Sequence, residues 1–164
     1  MTFAHPAASA ALHARSAAYD IVLLAHILAV LASLLVVAVA GGSALALGRS
    51  GPTSDALRRY YRPGTNWAGR VIFLVPVLGA VLVAMSQGDW SYSDDWVLIG
   101  LVVWLAAALL AELVLWPVER RLRETVARGE GGGDLATDCR SAAGASLAIG
   151  VLLIAATVVM VAKP

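Results

Sequence analysis

Apolar residues gather into four long runs, 21–47, 67–85, 96–118 and 142–162, and the stretches between them hold most of the charge. Each run is long enough to cross a bilayer, since about 20 residues at ~1.5 Å rise span a hydrocarbon core of ~30 Å. The pattern predicts an all-α fold, a four-helix transmembrane bundle forming a single domain over residues 19–164, with residues 1–18 as a mobile outer tail. A buried helix of a soluble protein would be shorter or would carry a polar stripe. Composition agrees with spans: 60% of residues are hydrophobic and 14% charged, against roughly half and a quarter in soluble domains.

The polar stretches alternate in charge. The first holds Arg49, Arg58, Arg59, Arg62 and Arg70 against Asp55; the second holds Asp89, Asp94 and Asp95 without Lys or Arg; the third is basic again in raw count of Lys and Arg, with Arg120, Arg121, Arg123, Arg128 and Arg140. Lys and Arg are retained on the cytoplasmic side of a membrane, and acids count little. Both termini are therefore expected outside, with the two basic loops inside. The first run is far longer than the apolar core of a signal peptide and reads as a retained span. Trp90, Tyr92 and Trp96 fit an outer aromatic belt, and Trp67 and Trp116 an inner one. The arginines sit in short loops beside the membrane, where lipid phosphate is their nearest partner; a nucleic-acid role is not expected. The single cysteine, Cys139, excludes an intrachain disulfide.

Within this frame several elements have recognisable ends. In the first basic loop, Thr53 or Ser54 can cap a short helix that Pro63-Gly64 ends, with Leu57, Tyr60 and Tyr61 on its apolar side. It is expected to lie on the cytoplasmic leaflet with Arg58, Arg59 and Arg62 toward phosphate, joined by Arg70. Pro76 should kink the second span, a neighbour satisfying the carbonyl it frees. The third run should continue as an amphipathic extension to Gly129. There Val118, Leu122 and Val126 form a stripe, and Glu119/Arg123, Arg120/Glu124 and Glu124/Arg128 pair on a solvated face. Gly131–Gly133 should break the helix. Small residues four apart should pack helix against helix: Ala25, Ala29 and Ser33, then Ala38, Gly42 and Ala46 in the first span, and Ala142, Ser146 and Gly150 in the fourth.

Ionisable groups inside spans are rare and default to functional candidates. The expected topology puts His26 near the outer surface. Glu112 lies about sixteen residues into a helix running inward, roughly 24 Å from its outer end. Glu112 is expected to form a structural clasp or a proton or ligand site, reaching Ser, Trp, Arg120 or Arg70. Met85 and Met160 also map to the outer leaflet. An imidazole with thioethers is a soft donor set for copper, and a His/Met pair can hold haem b; a histidine bonded to a neighbouring carbonyl is the plainer alternative. His5 and His13 fall in the tail and are poor ligands for a buried haem. No G-x-S-x-G, H-E-x-x-H, P-loop or C-x-x-C occurs.

The stretch LAHILAVLASLLVVAVAGG, with His26 early and Gly41-Gly42 late, resembles an uncharacterised bacterial four-span integral membrane family, a domain of unknown function. RRYYRPGTNWAGRVIFLVPVLGAVLVAMSQGDW and WVLIGLVVWLAAALLAELVLWPVERRL are similar to its second and third spans. More distantly, the early histidine followed by small residues resembles the copper-resistance D-type membrane proteins, which implies copper. Heavy use of alanine and arginine suggests a bacterium of high GC content. The expectation is a multi-pass protein of a bacterial cytoplasmic membrane, in contact with lipid and not an enzyme. It would act as a scaffold or accessory subunit, alone as a homo-oligomer or in a larger complex, without a cofactor. The alternatives are a copper- or haem-binding protein at His26, Met85 and Met160, and a proton-coupled carrier or membrane enzyme using Glu112.

Overall fold

A computed structural model describes residues 6–51, 54–62, 64, 67–129 and 133–162, with side chains described from residue 16 in the first helix and from residue 134 in the last. Thr53, Pro63, Gly131 and Gly132 lie outside the described residues, as do the side chains of His5 and His13. The chain is an all-α four-helix bundle. Its helices are α1 (Pro6–Ser50), α2 (Asp55–Tyr60), α3 (Leu74–Met85), α4 (Asp95–Leu110), α5 (Trp116–Arg128) and α6 (Gly133–Ala162). A 3-10 segment, Trp67–Phe73, leads into α3, and a π turn, Ala111–Leu115, joins α4 to α5. Helices at Ser16–Ser50, Trp67–Met85, Asp95–Arg128 and Asp134–Ala162 are long and apolar enough to span a membrane. No more than 22% of the apolar window of any of them is buried inside the bundle. Their remaining surface therefore needs an apolar surrounding, and hydrocarbon provides one.

Residues 6–18 of the expected outer tail are helical and continuous with the rest of α1. Proline suits a first turn, because its missing N–H would have no helical partner there. The widest interface joins α1 to α6, and small residues make it. A Cβ on Gly41 would lie 2.9 Å from that of Ser146, and one on Gly48 would lie 3.1 Å from that of Cys139. The pairs move in opposite directions along the two chains, so the helices are antiparallel. In lipid such close approach supplies dispersion contact where no hydrophobic drive separates one apolar surface from another.

Pro76 acts through the backbone. It lacks the N–H that would bond the Ile72 carbonyl one turn back. Trp104 Nε1 on α4 donates to that oxygen instead, at 3.0 Å. The freed carbonyl thus becomes a tie between the second and third spans, as P-kinked spans require. Pro117 disturbs the third span in a related way. Just before it, the Trp116 N–H reaches back to Ala111 O, five residues rather than four, which is the bond of a π turn.

The two ends of the bundle differ. At one, Tyr19, Trp90 and Trp96 meet, with ring centroids 6.2 Å apart for Tyr19–Trp90 and 5.8 Å for Trp90–Trp96. Tyr92 hooks the short loop back, donating to Ala80 O at 2.8 Å. The other end carries α2, α5 and the main buried cluster, including Leu47, Tyr61, Leu122 and Ile149.

Candidate functional site at the α2 end

Ser54 starts α2: its hydroxyl accepts from the Leu57 N–H at 3.2 Å, as an N-cap should. Leu57 is buried, and the next two apolar positions, Tyr60 and Tyr61, turn into the bundle edge-to-face with centroids 4.9 Å apart. The helix is therefore tied to α5 through Tyr60, and Tyr61, just past its end, is buried. Arg58, Arg59 and Arg62 remain exposed on its outer side.

Beneath the tyrosines is a buried ion pair. Arg123 Nη2 donates to Glu119 Oε2 at 3.1 Å, and their side chains are only 10% and 4% exposed. Tyr60 Oη donates to Glu119 Oε1 at 2.6 Å, and Arg123 Nη1 donates to Gly64 O at 2.8 Å. Both carboxylate oxygens thus have a donor, and the cation is tied to the loop after α2. This corrects the solvated face expected for Glu119 and Arg123. The stripe Val118 and Leu122 is buried as expected, but α5 has two neighbours, α6 and the folded-back loop, so the adjoining row is covered too. Burial, reinforced by the Glu119 charge, pushes the Tyr60 phenol far above its ordinary value. Burial does the same to Tyr61, with lesser contributions from Cys139 and Glu119. Both phenols are therefore neutral at neutral pH; Tyr60 donates to Glu119, and the Tyr61 hydroxyl is buried without a hydrogen-bond partner among the described residues.

A second Arg–Glu pair lies two turns back on the third span. Arg70 Nη1 bonds Glu112 Oε1 at 2.7 Å, with the side chains 45% and 42% exposed. The Arg70 guanidinium carbon sits 4.2 Å from the Trp116 ring centroid. Gly69 makes room for that indole, because a Cβ there would stand 2.9 Å from Trp116 Nε1. Phe73 fills the other side, its centroid 6.0 Å from that of Trp116. Arg70 was one of the expected partners of Glu112, and the clasp reading has its geometry. A cavity of about 20 Å³ lies inside the bundle near this pair, lined by Ser33, Gly69, Trp116 and Glu119 among others. That volume holds one water and is not a passage.

His26 and Met160 lie in different seams of the bundle. His26 lies in the seam of α1 and α3: a Cβ on Gly79 would be 3.4 Å from its Cε1, and the Val75 carbonyl faces the imidazole. Its Nδ1 is buried without a hydrogen-bond partner. Met85 lies six residues beyond Gly79, about 9 Å along the helix axis. Met160 lies in the seam of α4 and α6, with its methyl against Gly100. No group of three or more His, Cys, Asp or Glu that could hold a metal occurs among the described residues.

The packing residues divide. Ser33 and Ser146 are buried, and Ser33 Oγ donates to Ala29 O at 2.7 Å. Gly42 and Gly150 have nothing within 4 Å of an added Cβ, which corrects their expected place at helix contacts. Gly41 occupies the seam instead. One residue is about 100° of helix rotation, enough to turn Gly42 out. The Glu119/Arg123 pairing was read from the sequence and its burial was not, although Tyr60 in a short loop, a ring with a polar tip, was a signal that the loop reaches a polar target. No family model matches the chain, and neither a curated protein nor a solved structure matches it.

Proposed function

We propose that this chain is a non-enzymatic scaffold or accessory subunit of a bacterial cytoplasmic membrane complex, presenting a fixed basic surface on its cytoplasmic face. The supporting observation is the docking of α2. Tyr60, half-buried, bonds Glu119 of α5 and Tyr61 is buried, while Arg58, Arg59 and Arg62 stay exposed. A loop that only joins two spans has no need of a buried hydrogen-bonded ion pair beneath it. Such pairs are costly to desolvate and are best attested where they fix one arrangement. Here the fixed arrangement is a basic helix held against the end of the bundle. The arginines of loops one and three, counted without regard to acids, support a cytoplasmic position for that end.

Two measurements test the reading. With Cys139→Ser as background, Ser91→Cys should react with an impermeant maleimide in intact cells and Ser50→Cys should not; the reverse pattern overturns the orientation. Native electrophoresis of gently solubilised membranes should place the protein in an assembly larger than the single chain. Arg58→Gln, Arg59→Gln and Arg62→Gln combined should release it as a folded chain. Migration of the unaltered protein as a single chain would overturn the scaffold role.

A further inference from the structure

The exposed pair is placed and oriented for a lipid headgroup. Glu112 is seventeen residues past Asp95, about 26 Å along a span crossing a core of ~30 Å. Arg70 is three residues past Trp67, which is 76% exposed, and it lies on Trp116. Tryptophans of this kind sit at headgroup level. The pair is therefore at the boundary of the core on the α2 side, on the lipid-facing surface of the bundle.

Its bonding is incomplete in a specific way. An arginine and a carboxylate can join by two parallel bonds. Here a single contact is made, Arg70 Nη1 to Glu112 Oε1. Among the described residues, Glu112 Oε2 and the other guanidinium N–H groups have no hydrogen-bond partner. The indole covers one face of the guanidinium, so its edge is what remains to offer. The π turn holds Glu112 beside it. One acceptor and several donors, adjacent and of opposite charge, face outward together.

We infer that Arg70, Glu112 and Trp116 form a binding site for a zwitterionic phospholipid headgroup that carries a primary ammonium. The lipid phosphate accepts from the free guanidinium N–H groups, and the ammonium donates to Glu112 Oε2. An ethanolamine headgroup supplies both. A choline headgroup has the charge but no N–H to donate. A glycerol headgroup satisfies Arg70 but leaves the carboxylate facing an anion. The site rests on the four helices being bilayer spans and is independent of the scaffold role.

The test uses the full chain in detergent with lipids of identical acyl chains and four headgroups: ethanolamine, its N-methyl and N,N-dimethyl forms, and choline. Native mass spectrometry reads the lipid retained. Retention should fall with each methyl, and ethanolamine should exceed choline by about three- to tenfold, the range of one ordinary hydrogen bond, because water at headgroup level competes for the carboxylate. Glu112→Gln, nearly isosteric, should abolish the ranking while keeping phospholipid bound. Arg70→Gln should lower retention of all four. Equal retention of ethanolamine and choline by the unaltered protein overturns the site, and that comparison needs no variant to fold. So does a ranking that persists in Glu112→Gln. A lipid-free dimer that Glu112→Gln splits would assign the pair to a contact between two copies and overturn the lipid. Flotation of reconstituted vesicles checks the spans separately: a chain that floats without headgroup preference overturns this site alone.

Discussion

Two glutamates of the third span, Glu112 and Glu119, lie seven residues apart, each bonded to an arginine, and the two pairs have opposite surroundings. Glu119 and Arg123 are 4% and 10% exposed, and the carboxylate has a donor on each oxygen. Glu112 and Arg70 are 42% and 45% exposed and share one contact. The chemistry of the partners is the same, so the difference comes from what covers them. A loop folds back over the first pair, while the second, with Trp116 on one face of its arginine, keeps close to half of its side-chain surface open. Charges taken out of water need full hydrogen bonding to be tolerated, and the first pair has most of it. An exposed pair is free to exchange its unused bonding capacity with something outside the chain. One pair therefore belongs to the architecture, and the other is open to a ligand.

The sharpest way to break the comparison is to remove one half of the buried pair. Arg123→Ala leaves the Glu119 carboxylate buried without its cation, which should cost about 3–5 kcal/mol. Unfolding in detergent should read this as a large drop in midpoint. Replacing both partners together, Glu119→Met with Arg123→Met, should cost much less, because no charge is left unpaired. If the single and double variants lose equal stability, the pair is not held as a closed unit.

Tyr60 sharpens the contrast through pH. Tyr60→Phe deletes a donor to a buried carboxylate and should cost about 1.5–3 kcal/mol. Its folded phenol is held above the ordinary value of 10.0, first by burial and then by Glu119. The neutral phenol is the form that the fold favours. Its contribution is therefore complete below about pH 10 and is lost as pH rises beyond that. The unfolding midpoint of the unaltered protein should fall on the alkaline side, and Tyr60→Phe should fall less steeply. A phenolate absorbance step at alkaline pH, before unfolding, that is smaller in Tyr60→Phe than in the unaltered protein would show that α2 is not docked.

The α1–α6 seam is a reference that touches neither pair. Gly41→Leu forces a side chain into Ser146 and should cost about 1–3 kcal/mol, the usual range of overpacking. Gly42→Leu should be close to neutral, since space there is open. Equal effects would mean that α1 is rotated from the arrangement described.

These residues also show what a single sequence can and cannot carry. The spans were legible because the bilayer sets a length that a run of apolar residues must meet. The tie at Pro76 was legible in outline, since a missing N–H leaves a carbonyl that must be satisfied. Trp104 as its partner was not, because that depends on how two helices are turned. The same blindness to rotation put Gly42 in the place of Gly41. The stripe Val118, Leu122 and Val126 was visible as a period. The burial of the row beside it, Glu119 and Arg123, was not, because the cover comes from Tyr60, 59 positions earlier in the chain. Local period reports one helix face; a second face is decided by which segment returns to it.

The smallest expected effect falls on the exposed pair, and it completes the comparison. Glu112→Gln removes one charge from a site that is nearly half open, and pairs so exposed contribute about 1 kcal/mol or less to stability. Its midpoint should therefore stay close to that of the unaltered protein, while Arg123→Ala falls far below. The aromatic stacking of Arg70 on Trp116 does not need the carboxylate, so tryptophan emission should also change little. A fall comparable to that of Arg123→Ala would place Glu112 among the structural groups, covered by a partner or a second copy. A small fall leaves the polar groups of this span divided by cover: one pair closed over by its own loop, the other open at the edge of the membrane.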